Sequence, residues 1–254
     1  MKKTFPAALL PWLVLGAGGV LLTLQSILIF FCPDEKGLLS GRHPLYLLAW
    51  VLALAAAVGT AIVVWKLDGA NRYNDNFPPS IPGCAGAFCA AVGILIAGIQ
   101  GLGQTTDILS LLWVIFAFLS VPSLCFAGVC RFQGRRPAFF FYAVVCLFFA
   151  LHLVCRCRTW SSDPMLVHYG FPLFACICLM LSAYHQAAFD AGIGRRRFQL
   201  FFGLMAVLFC CASIPTGQGI LYLACGGWAF TNLCALTPPQ RRHRPKAENA
   251  GEEA

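Results

Sequence analysis

The residues of this chain that could do chemistry are few and scattered. His185 and Asp190 lie five apart, just ahead of the basic run Arg195-Arg196-Arg197. Five residues is a poor spacing for sharing a helix face, so a proton relay between the two would need a bend or a third group. Asp107 precedes an apolar run and reads as an N-cap carboxylate at the positive end of a helix dipole. Asp190 reads as an interfacial residue pairing with the arginines that follow it. His152, His168 and His185 read as histidines near helix ends. Gln25, Gln100, Thr60 and Asn232 are the deep polar side chains, each able to bond a neighbouring helix for about 0.6 kcal/mol. Gln25, Gln100, Asp107, His185 and Asp190 are therefore the candidates for a substrate pathway. Arg135, Arg136, Arg195, Arg196 and Arg197 are the candidates for holding anionic lipid headgroups, although setting topology accounts for them equally well.

Metal and covalent chemistry lack their parts. Fourteen Cys are present, but Cys176, Cys178, Cys210, Cys211 and Cys225 lie inside apolar runs, where a thiol acts as a small hydrophobe. Cys155 and Cys157 form a C-x-C, and Cys84 and Cys89 are five apart; neither is a zinc spacing. Free interfacial thiols are the plain reading of Cys32, Cys155 and Cys157. A bridge from Cys32 to either of the others would require their helix ends to meet on an oxidising face. Neither the metalloprotease, the nucleophile-elbow nor the phosphate-loop motif occurs, and Gly16-Ala17-Gly18-Gly19 falls in an apolar run where no phosphate cradle can form. The reading is a protein without a cofactor, a metal or a catalytic motif, and thus not an enzyme.

What must position these residues follows from composition. Of 254 residues, 59% are hydrophobic and 11% charged. A soluble domain carries roughly 25% charged residues, so the surrounding solvent here is one that needs no charged surface. Eight apolar stretches are long enough, or nearly so, to cross about 30 Å of hydrocarbon. They run from about Ala7 to Phe31, Pro44 to Trp65, Gly83 to Leu102, Ile108 to Val129, Ala138 to Val154, Met165 to Ala188, Phe198 to Pro215, and Gly219 to Leu236. Backbone groups in lipid must be satisfied within the segment, and the runs do not alternate, so helices are expected and a barrel is excluded. The chain opens Met1-Lys2-Lys3 and then stays apolar beyond the length of a signal segment, which predicts an uncleaved first helix.

Lys and Arg orient the bundle. With the N-terminus in the cytoplasm, 14 of the 18 fall on the cytoplasmic side, and only Lys36, Arg42, Arg156 and Arg158 fall outside. That bias predicts a multi-pass cell-membrane protein with both termini cytoplasmic. The same distribution argues against nucleic acid, because no segment builds a folded basic surface. Trp12, Trp65 and Trp160 fall near boundaries as interfacial anchors, while Trp50, Trp113 and Trp228 read as packing residues. Gly16, Gly18 and Gly19, and Gly93 with Ala97, mark close helix approach. The tail from residue 237 to 254 is Pro-rich, then basic, then acidic, and is expected to be disordered.

The two halves share a vocabulary. Asp68-Gly69-Ala70-Asn71-Arg72 answers Asp190-Ala191-Gly192-Ile193-Gly194-Arg195, and Gly103-Gln104 answers Gly217-Gln218. This suggests residues 1–131 and 132–236 as two four-helix halves in parallel orientation, a 4+4 tandem repeat within an all-α transmembrane bundle. A small permease or membrane subunit of a transport system is the first functional expectation. Its partners would be the bilayer and an energy-supplying subunit or other membrane proteins. The alternative is a non-transporting scaffold, sensor or assembly factor that binds membrane proteins.

Overall fold

The computed structural model describes residues 9–31, 44–67, 73–103, 105, 107–160 and 169–236. The expectations for Cys32, His168 and the C-terminal tail lie outside the described residues. Within them the chain is helical throughout: α1 (Leu10–Phe31), α2 (Pro44–Lys66), α3 (Tyr73–Asn76), α4 (Ile81–Leu102), α5 (Ile108–Phe132), α6 (Phe139–Trp160), α7 (Gly170–Ala191), α8 (Arg196–Ser213) and α9 (Gly219–Cys234). Seven of these are long and apolar enough to span a membrane, and α9, at 16 residues, is a shorter apolar helix. The protein is a polytopic integral membrane helix bundle. Its apolar exterior, with residues such as Phe30, Leu54, Ile108 and Leu223 exposed, is the surface that lipid requires.

Six helices close a ring in the order α4, α5, α6, α7, α8, α9 and back to α4. Helix α1 packs on the outside of α8, and α2 packs beside α1 against α8, with its Trp50 stacked on Phe171 of α7 at 4.5 Å. The packing is thus six plus two. The first four spanning helices do not associate as a unit of their own, since the close pairing of α7 with α8 has no counterpart between α2 and α4.

Small residues set the approach within the ring. A Cβ on Gly86 or Gly93 of α4 would collide with Thr231 or Ala224 of α9, and one on Gly101 with Trp113 of α5. Helix α4 therefore lies against both neighbours on its glycines. On α1, Gly18 faces Cys211 of α8 in the same way, while Gly16 and Gly19 have open space and play no packing part.

Two expected boundaries move. Helix α6 does not stop at Val154 but continues to Trp160, which places Arg156 and Arg158 on a helix rather than in a loop. The long connection after α2 holds the short α3, whose Tyr73 and Asn76 are buried together with the following Phe77. It ends at Ser80, whose Oγ caps α4 by accepting from Gly83 N at 2.9 Å.

The basic residues separate by end. Arg197 donates to Leu67 O, Arg196 to Asn76, Arg131 to Asn232, and Arg136 to Phe189 O, which draws the ends of α2, α5, α7, α8 and α9 together on one face. Arg156 and Arg158 lie at the opposite end, where Arg158 pairs with Asp107 at 2.6 Å. Helices α5 and α7 finish on the first face in the same motif. Gly134 (φ +67°) and Gly192 (φ +86°) adopt the left-handed conformation. Gly134 N donates to Arg131 O and Arg135 N to Cys130 O, and Gly192 N to Phe189 O and Ile193 N to Ala188 O.

Candidate functional site

Polar groups gather at both ends of the ring, and they are different in kind. At the Arg156 end there is a chamber of about 560 Å³, lined by the ends of α4, α6 and α7 and by the α8–α9 turn. Helix length makes it. At 1.5 Å per residue, the 22 residues of α4, α6 and α7 reach about 33 Å, whereas the 16 of α9 reach about 24 Å. The turn Thr216-Gly217-Gln218 thus stands short of its neighbours and forms the floor. Non-helical backbone at membrane depth is tolerated where it lines such a cavity.

A chain of hydrogen bonds running from the chamber to a buried histidine fixes that floor. With the Gln218 amide oxygen facing Arg156, it accepts from Nε at 3.1 Å and from Nη2, and the amide nitrogen donates to His152 Nε2 at 3.0 Å. An accepting Nε2 puts the ring proton on Nδ1. His152 is fully buried, with its ring against Trp113 and Phe148. The Arg156 guanidinium lies 5.9 Å from the Trp113 ring centroid. Deeper still, the Tyr222 hydroxyl meets Cys176 Sγ at 3.5 Å. The wall includes Trp160 stacked on Tyr169 at 4.8 Å, so Trp160 is a buried chamber residue and not the interfacial anchor its position suggested.

At the other end the ring is closed. Phe77 lies under the Arg131 guanidinium, 3.8 Å from its carbon, and packs edge-on against Phe189; Tyr73 completes the plug. Burial holds the Tyr73 phenol well above its ordinary pKa, with Arg131 pulling the other way. Arg131 is 2% exposed, and its hydrogen bond among the described residues, to Asn232 Oδ1, is long at 3.4 Å. The Asp190 carboxyl faces Arg131 and Arg136 without forming an ion pair, and among the described residues neither oxygen has a hydrogen-bond partner. Tyr142 Oη lies beside Arg131 but outside hydrogen-bonding geometry, and the Trp228 indole N–H is likewise unpartnered. Buried polar atoms are nearly always satisfied, so these atoms are places for water or a solute, and ionisable groups at membrane depth carry function by default.

Of the five pathway candidates, the structure brings Gln100 to the chamber wall and pairs Asp107 with Arg158 at the same end of the bundle. Asp107 also stands at the start of α5, where its backbone N–H donates to Ser110 Oγ at 3.1 Å. Asp190 belongs to the closed end, beside Arg131 rather than paired with the arginines that follow it. His185 is in neither place: its ring packs parallel to those of both Phe198 and Phe202, at 5.4 and 5.3 Å. Gln25 is buried on the face of α1 that carries Gly18 and Leu21, with its Oε1 unpartnered. Among the lipid candidates, Arg135, Arg136, Arg195 and Arg197 are exposed, whereas Arg196 is buried and donates to Asn76 Oδ1 at 2.9 Å.

Reading by sequence missed Arg131, Arg156, His152, Gln218 and Tyr142. Arg131, Arg156, Gln218 and Tyr142 sit within a turn or so of a helix end, where Arg reads as a topology signal and Gln as an interfacial residue, and His152 lies about two turns inside the end of α6, which runs past the boundary expected for it. No family model matches the chain, and no curated protein or solved structure matches it.

Proposed function

We propose that the protein is a small-solute permease, either complete or as the membrane subunit of a transport system. The observation that carries this is the pairing of an open polar chamber at one end of the ring with a plugged polar cluster at the other. A solute path needs polar groups inside the bundle, a way in, and a closure on the far side. The chamber supplies the entrance, Phe77 and Tyr73 supply the closure, and the unpartnered atoms of Arg131, Asp190 and Tyr142 are what a passing solute would meet. By the positive-inside rule, the face that holds Arg131, Arg135, Arg136 and Arg195–Arg197 is cytoplasmic, the chamber is external, and the host is the cell membrane. The scaffold reading draws on α2, whose outer face is unpartnered among the described residues, but it gives the buried polar groups no task.

The test is flux in proteoliposomes, followed with a panel of glycerol, glucose, benzenesulfonate and choline. Protein-dependent flux of a panel member is expected, and Phe77→Ala should raise it several-fold while a bulky dye such as calcein stays trapped. No flux from either form would refute the reading of the chain as a complete permease.

A further inference from the structure

We infer that the chamber is a binding site for a small organic anion, anchored by Arg156. The inference deepens the permease reading by naming the chemical class of its solute.

Charge comes first. Arg156 lines the chamber, and among the described residues no Asp or Glu lines it. The nearby Arg158 is compensated by Asp107, but Arg156 is held by the neutral oxygen of Gln218. An amide oxygen orients a guanidinium without neutralising it. Behind it, Gln218 is locked by the fully buried His152, and Trp113 lies near the guanidinium. This is a preorganised cation, which is what anion recognition asks for. The Nε–Nη2 edge is occupied, so the end-on pair of Nη1 and the outer N–H of Nη2 is left to take two oxygens of one group.

Shape comes second. The stacked Trp160 and Tyr169 offer a flat apolar wall, and Thr159 adds a hydroxyl at the rim. A volume of about 560 Å³ lies within the roughly 300–1,000 Å³ of small-molecule sites. A bare inorganic ion would leave that wall and most of the space unused. A carboxylate or sulfonate on a compact apolar or aromatic body fills both, with its oxygens on Arg156 and its body along Trp160.

The test uses the full chain in lipid nanodiscs, titrated by calorimetry with benzenesulfonate, which has no permeant neutral form near neutral pH. Its cationic and neutral counterparts, benzyltrimethylammonium and benzyl alcohol, and inorganic sulfate are the comparisons. Benzenesulfonate should bind at least tenfold more tightly than each of the three. Arg156→Gln should weaken it by tenfold or more, with Arg156→Lys recovering part. Thr159→Glu, at an exposed site that leaves the Gln218–His152 chain intact, should weaken it too, and it stands in if Arg156→Gln does not fold. Equal binding of the cation, the alcohol or sulfate, or unchanged affinity in Arg156→Gln or Thr159→Glu, would overturn the inference. Binding without flux would refute the permease reading alone. Flux of glycerol or glucose without anion binding would refute this inference alone.

Discussion

Replacing Gln218 by Leu removes the one side chain that joins Arg156 to His152 while keeping nearly the same volume. The cost is read from what each partner loses. His152 is fully buried, so its Nε2 acceptor at 3.0 Å has nothing to replace the amide donor. An acceptor left unsatisfied in that way costs about 1–3 kcal/mol. Arg156 is only half-buried and borders the chamber, so its N–H groups turn to water and add little. The expected loss is therefore about 1–3 kcal/mol, which for a chain of this size is a drop of roughly 3–10 °C in Tm. Differential scanning fluorimetry in a mild detergent measures it, with Thr159→Ala as the control, because that hydroxyl bonds only its own helix at Cys155 O. Nitrogen-15 NMR of the imidazole adds a second readout: the wild type should carry its proton on Nδ1. Gln218→Glu, which offers no donor, should shift that proton to Nε2. A Tm for Gln218→Leu within about 1 °C of wild type, or a wild-type ring protonated on Nε2, would refute the hydrogen-bond chain.

Gly192→Ala, at φ +86° with Arg136 Nη2 only 3.1 Å from the new Cβ, should cost about 1–2 kcal/mol in reversible unfolding. Gly16→Ala, with nothing within 4 Å, should be neutral or stabilising by up to about 1 kcal/mol; equal losses at both glycines would contradict the assignment of the cap. Asp107→Asn should change stability by less than about 1 kcal/mol, and that change should vanish at high salt, since the pair with Arg158 is largely exposed. Joint replacement of the exposed Arg135, Arg195 and Arg197 by Gln should reduce the phosphatidylglycerol that stays bound in native mass spectrometry. Undiminished retention would reduce these arginines to topology signals.

The spanning helices were legible because lipid leaves the backbone a single option, and long apolar runs such as Ile108 to Val129 declare it without ambiguity. Ring order was not legible. It depends on which faces approach, and glycines do not name their partner: Gly86 and Gly93 face α9, Gly101 faces α5, and Gly16 faces nothing. Matched helix ends do not by themselves establish two equal halves, because capping chemistry recurs at helix ends that a repeat would not pair. Gly192 closes α7 and Gly134 closes α5 in the same way, yet these are the sixth and fourth spanning helices and not repeat equivalents. The site was half legible. Gln100, Asp107 and Asp190 were named from sequence, but Arg131 and Arg156 were counted as charges on a face because one turn more of helix decides between headgroup and interior. Phe77 could not be seen at all, since a buried aromatic in a loop carries no periodic signal.

The central claim is that the chamber and the plug lie on opposite faces of the membrane. Single cysteines placed in a Cys-free background at Gly217, on the chamber floor, and at Arg135, beside the plugged end, test it directly. A membrane-impermeant maleimide applied to intact cells should label Gly217→Cys and spare Arg135→Cys, and inverted vesicles should give the reverse pattern. Labelling of both positions from the same side would contradict the account.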